Sequence, residues 1–223
     1  MSDFHKVFIE NDRWKLYLEG LGNSLLIAFW GAVLGFVFGG LLALVLYRCK
    51  GKDAFAGLIF VIRQYINLFR AVPLPILLLF GYFVVFVFIT NAVTVAIVIF
   101  GIVFSAYFAE IIRGGIESVD NGQIDAARSL GFSYWQTMFL IVLPQGLKNC
   151  VPSIGNELTI VLRSTALVGW ISVMDMTQAA NIISANTFIF FAPLILVAIV
   201  YIVLVALMSL AFKYIERRLC IWG

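Results

Sequence analysis

The chain has 223 residues, 63% of them hydrophobic and 12% charged, with a mean hydropathy of +1.05. An average soluble domain is roughly 25% charged, so this chain cannot cover a soluble fold and lipid must face much of it. At ~20 apolar residues per crossing the length allows about four to six spans and no separate soluble enzyme domain. The net charge of +3 comes with no long basic run and no recognition motif, so no nucleic-acid partner is expected.

Residues 1–20 mix charges with aromatics, and an apolar core begins only after Leu21. That core is too long for a cleaved signal, so 1–20 reads as a lead segment outside the membrane. It is either a short interfacial helix over 12–19, anchored by Trp14 and Tyr17, or a disordered lead-in. Leu21 to Tyr47 holds no charge and forms the first span, with Gly31, Gly35, Gly39 and Gly40 spaced for close helix contact. Arg48, Lys50 and Lys52 follow and mark the cytoplasmic side.

The next charge-free stretch, Ala71 to Ala109, fits two spans with a break near Thr90 and Asn91. The second span can begin from about Ala54, carrying Arg63 and Arg70 near its cytoplasmic end. Pro73 and Pro75 would then disturb it. Glu110 to Gln136 is too polar to cross. A fourth apolar stretch, Ile141 to Trp170, is interrupted by Lys148, Glu157 and Arg163. A fifth, Phe188 to Phe212, is stopped by Lys213, Glu216, Arg217 and Arg218.

The expected fold is therefore an all-α membrane protein of about five transmembrane helices, a single domain over residues 1–223. Basic residues place the N-terminus outside and the C-terminus in the cytoplasm. Cys49, Cys150 and Cys220 lie far apart without metal-ligand spacing. His5 has no nearby partner and reads as a surface residue. One histidine and scattered carboxylates supply neither a metal site nor an acid–base set, so no catalytic residue, metal or cofactor is assigned.

Residues 120–144 read as two short helices joined by a sharp turn. Asp120 or Asn121 caps the first, with Gln123 as a capping-box partner of Asp120. Gly131 suits the left-handed position that ends it. Ser133 and Gln136 form a second capping box, and the next helix runs to Leu143 and meets Pro144. Adjacent Ala126 and Ala127 offer a smooth patch for a partner. From the residues alone, a docking hairpin and an ordinary capped loop are equally good readings.

At this point the chain resembles a family. Asp125, Ala126, Ala127, then Gly131, Ile141, Leu143 and Pro144 match the spacing of the EAA loop of importer-type ABC permeases, with Asp125 where that family usually has Glu. Phe69 to Leu74 is similar to the F-R-G-T-P-L segment of polar amino acid permeases, with Ala71 and Val72 in place of Gly-Thr. Ala109 to Ile116 is similar to A-E-I-x-R-x-G-I. Asn156, Glu157 and the run Arg163 to Leu167 are similar to a segment of basic amino acid permeases. The resemblance implies the type I ABC importer permease fold in a bacterial inner membrane. It implies an ABC ATPase dimer as motor, a second permease subunit, a soluble substrate-binding protein outside, and an amino acid as cargo. The coupling residues would be Asp125, Ala126, Ala127, Gly131, Leu143 and Pro144. No phosphate-binding loop is present in this chain, so ATP and Mg belong to the partner ATPase.

For the cargo, Glu157 stands out: a carboxylate at membrane depth faces a cavity or a partner. It either accepts a substrate cation beside Asn156, or pairs with Arg70, Arg163 or Lys148 to lock helices. Substrate candidates are Glu157, Asn156, Arg70 and Arg163, favouring basic amino acids such as arginine, lysine, histidine and ornithine. Alternatives are glutamine, glutamate or cystine. A secondary transporter working without ATP is a further alternative, which would predict an internal repeat of spans.

Overall fold

The computed structural model describes residues 5–49 and 53–220, the last two by backbone alone. Lys50 and Lys52 of the basic knot lie outside these residues. The described chain is helical, in the order α1 (Trp14–Cys49), α2 (Ala56–Ala71), α3 (Leu74–Phe80), α4 (Ala92–Glu117), α5 (Asn121–Ser129), α6 (Tyr134–Thr137), α7 (Leu143–Ser164), α8 (Met176–Thr187) and α9 (Phe191–Cys220). Among the described residues, three helices are long and apolar enough to cross a membrane alone, and two bent pairs raise the count to as many as five.

α4 is the central helix and packs against α1, α2 and α7. Of its most apolar window 67% is buried, against 28% for α1 and 6% for α9, which sit at the periphery. Phe100, Phe104 and Phe108 of α4 are buried within the main core. Phe29, Trp30, Val37, Ile202 and Leu207 are exposed, as lipid-facing residues must be apolar. The glycine stripe of α1 does what its spacing suggested. A Cβ at Gly39 would lie 2.6 Å from the Ser105 carbonyl oxygen and 2.9 Å from the Ala109 amide nitrogen, so the α1 and α4 backbones touch there. Gly31 and Gly35 likewise sit tight on Phe100 and Phe104, whereas Gly40 has ordinary room.

Several boundaries differ from the sequence reading. Residues 14–19 do not form the separate interfacial helix expected over 12–19, because α1 is continuous from Trp14. A short turn of helix, His5–Ile9, precedes it and buries Val7 against α8. His5 is partly buried rather than on the open surface, with Nδ1 unpartnered. The segment after Ile171 is not a plain loop. α8 follows at a 48° bend, capped by Asp175, whose carboxylate accepts from the Thr177 and Gln178 amides.

The second span is broken as its prolines require. Val72 and Pro73 are extended at ψ 131° and 135°, and the chain turns through 106° between α2 and α3. A residue before proline is disfavoured in the helical region, and Pro73 cannot donate to the ladder. Asn91 then caps α4 by accepting from the Thr94 amide, at the expected break. Pro144 does not end its helix. A π-turn over Met138–Val142 widens the backbone ahead of it, and α7 continues with Pro144 in its first turn, where the missing donor costs nothing.

Candidate functional site

The hairpin over 120–144 is built from local signals. Asp120 caps α5 by accepting from the Gly122 amide at 2.6 Å. Gln123 is not its capping-box partner; its side chain instead accepts from Gln145 Nε2 at 2.6 Å, tying α5 to α7. α5 ends as expected. Gly131 takes φ +87°, and the Phe132 amide donates back to the Ala127 carbonyl at 3.1 Å. A Cβ at Gly131 would meet nothing, so the positive φ alone accounts for glycine. Ser133 and Gln136 complete their reciprocal capping box. Arg48 lies over the Tyr134 ring, 4.5 Å from its centroid, pinning the hairpin to the end of α1. Burial pushes the Tyr134 phenol above its ordinary pKa.

Of the motif residues, Ala127 is buried under the hairpin, while Asp125, Ala126, Gly131 and Pro144 are exposed and Leu143 is half-buried. The same hairpin exposes apolar side chains that the sequence reading passed over. Leu130 is 80% exposed, and Trp135, Phe139 and Leu140 are more than half exposed. Trp135 and Phe139 stack with ring centroids 5.7 Å apart. Their i, i+4 spacing was the available signal.

The membrane-depth polar residues divide by face. Glu157 is 6% exposed, its Oε1 has no hydrogen-bond partner, and among the described residues it forms no ion pair. Helix locking through Arg163 or Lys148 is therefore not what the structure contains. Arg70 is the cation whose field reaches Glu157, short of a salt bridge. Asn156 does not stand with Glu157. Consecutive helical residues point about 100° apart, so Asn156 is exposed while Glu157 is buried. Asn156 instead shares a face with Arg163, seven residues on; Arg163 is exposed and donates from Nε to the Thr159 carbonyl at 3.2 Å.

Arg70 also sits deeper than expected. α2 begins at Ala56, so at 1.5 Å per residue Arg63 is ~10 Å along it and Arg70 ~21 Å, at the break rather than near the starting end. Its guanidinium lies 5.6 Å from the Tyr107 ring centroid of α4. Lower on α4, Arg113 binds Glu110 and Glu117, each at 2.6 Å. Among the described residues no group of three or more His, Cys, Asp or Glu side chains is placed to hold a metal.

The bundle, with two bent pairs among its candidate spans and a capped hairpin between α4 and α7, has the architecture of a multi-pass membrane protein. The chain belongs to the family described as binding-protein-dependent transport system inner membrane component, whose model matches residues 56–220. It is thus a non-catalytic permease subunit of an ABC importer, whose ATPase is a separate subunit.

Relatives span nine tenths or more of the chain. The probable glutamine ABC transporter permease protein GlnM of Bacillus subtilis is 32% identical over 217 residues, covering 93% of this chain and 95% of its own. The arginine transport system permease protein ArtQ of the same organism is 35% identical over 205 residues, covering 91% of each. The glutamate/aspartate import permease protein GltK of Escherichia coli is 32% identical, covering 90% of this chain and 92% of its own. The crystal structure of an amino acid ABC transporter with histidines matches with a TM-score of 0.82 at 34% identity, covering 92% of this chain and 94% of that one. The MetNI methionine ABC transporter in an inward-facing conformation matches at 0.81 and 22% identity, covering 95% and 99%, which speaks to the fold alone.

Proposed function

We propose that this permease passes amino acids inward across a bacterial inner membrane, and that basic amino acids are its preferred cargo. The observation that carries the cargo reading is Glu157, a buried carboxylate at membrane depth without an ion pair, within the field of Arg70. Such a group is retained where it meets a cation, and the guanidinium or ammonium of a basic side chain supplies one. Relatives named for arginine, glutamine and glutamate support amino acids as the class.

The hairpin over 120–144 serves as the docking lever for an ATPase dimer. Asp125, Ala126, Ala127, Gly131, Leu143 and Pro144 shape it, and the exposed apolar side chains of Leu130, Trp135 and Phe139 support a protein partner there. The end carrying Arg48, Arg113, Arg128, Lys148 and the exposed Lys213, Arg217 and Arg218 is cytoplasmic, with the N-terminus outside. A second permease subunit completes the pathway, and a soluble binding protein delivers cargo from outside.

The test is reconstitution in proteoliposomes with the cognate ATPase, second permease and binding protein, followed by a panel of labelled amino acids. ATP-dependent accumulation led by arginine, lysine or histidine is expected. Accumulation led by glutamine or glutamate removes the basic preference, and accumulation without ATP removes the coupling reading.

A further inference from the structure

We infer that the cavity between α2 and α4 at the end of the bundle bearing Arg48 is an exit subsite for the zwitterionic head of an amino acid. The inference rests on the reading of this chain as an inward amino acid permease. The cavity has a volume of about 210 Å³ and is lined by Arg63 and Asn67 of α2 and by Glu110, Arg113 and Glu117 of α4, over a floor of Leu46 and Ile66. It is smaller than the ~300–1,000 Å³ of pockets for drug-sized ligands, which suits a single amino acid.

Its two walls carry complementary chemistry. Among the described residues Arg63 makes neither ion pair nor hydrogen bond, and Asn67 makes no hydrogen bond; both are exposed on α2. A guanidinium fork with a neighbouring amide is a carboxylate receptor. Opposite, Glu110 is held by Arg113 through Nε at 3.4 Å and Nη2 at 2.6 Å. Each carboxylate oxygen has two lone pairs, so Glu110 retains acceptors for an ammonium while Arg113 orients it. One wall thus takes the carboxylate and the other the ammonium of the same small molecule.

The position fits an exit. Arg63, Asn67 and Arg70 stand at i, i+4 and i+7 and share one face of α2. All three are exposed. Unpaired cations on a membrane helix face water or protein rather than lipid. The stripe begins at Arg70, beside Tyr107 and with its field extending to Glu157, and runs ~10 Å toward the Ala56 end. The subsite therefore lies between the candidate cargo carboxylate and the basic end of the bundle. The competing occupant of Arg63 is the phosphate of an anionic lipid, since basic pockets near the cytoplasmic interface also bind such headgroups.

The experiment uses the complete transporter in proteoliposomes made with and without phosphatidylglycerol. The probe is whichever of arginine, lysine, histidine, glutamine and glutamate the wild type accumulates fastest. Arg63→Gln is expected to lower the maximal uptake rate about fivefold or more, with the external half-saturation constant unchanged. Inhibition by the same amino acid preloaded on the ATP side should need about tenfold more of it, and Arg63→Lys should restore part of both effects. Asn67→Ala should weaken the same internal inhibition in the same direction. Unchanged rate and unchanged internal inhibition in Arg63→Gln overturn the subsite while leaving the amino acid permease standing. So does a defect that wild type reproduces when phosphatidylglycerol is omitted, which assigns Arg63 to lipid. A wild type that accumulates none of these five amino acids overturns both readings.

Discussion

Replacing Gly131 probes the hairpin with a perturbation that the geometry isolates. Gly131 has φ +87°, and a Cβ there would touch nothing within 4 Å, so a substitution adds backbone strain and no clash. The left-handed region costs a residue with a Cβ roughly 1–2 kcal/mol, least for Asn and most for a β-branched side chain. One or two kcal/mol is a factor of about 5–30 in a folded population. The hairpin consists of a nine-residue and a four-residue helix, each too short to be stable by itself. The docking-competent population should therefore fall by up to that factor, and apparent ATPase affinity with it. The expected order of affinity for the isolated ATPase, measured on permease in nanodiscs, is wild type, then Gly131→Asn, Gly131→Ala and Gly131→Val. Gly131→Val binding as tightly as wild type would refute the claim that this turn presents the docking surface.

Three further outcomes follow from other parts of the structure. Gly39→Ala places a Cβ 2.6 Å from a backbone oxygen of α4, whereas Gly22→Ala meets nothing. The two variants should differ by about 1–3 kcal/mol of overpacking, or very roughly 2–12 °C in apparent Tm, read by thermal denaturation in detergent; equal melting would show that α1 and α4 are not packed this closely. Glu157→Gln should cut arginine uptake efficiency about tenfold or more, as expected for losing a hydrogen bond to a charge, with the amount of inserted protein unchanged; equal uptake removes Glu157 from cargo binding. Leu130→Asp and Trp135→Ala should each weaken ATPase binding about 5–30-fold if this apolar face is an anchor, and wild-type affinity in both would place the ATPase elsewhere.

Short-range features were legible in the residues themselves. The break near Asn91, the cap at Ser133, the left-handed Gly131, the break at Pro73 and the close packing at Gly39 each depend on chemistry within a few positions or on a simple helical period. Where the reading slipped, a local rule was overridden by something farther away. The helix after Ser133 was followed only as far as Pro144, yet a π-turn precedes that residue and α7 runs on. Gln123 had the spacing to cap Asp120, but Gln145 from α7 claims its side chain. Asn156 and Glu157 are neighbours in sequence and lie on different faces in space.

The sequence by itself determined that the chain lives in lipid, roughly how many times it crosses, and where the hairpin over 120–144 turns. Apolar run length, charge position and turn stereochemistry act within one segment and need no knowledge of neighbours. Only the tertiary structure decided which charges meet. It left Glu157 buried within the field of Arg70 without a salt bridge, set Arg63 and Asn67 in one cavity with Glu110, and brought Leu130 onto the uncovered end of the hairpin. Those relations depend on how separate helices rotate and pack against α4, and the period of a single helix carries no information about its rotation relative to another.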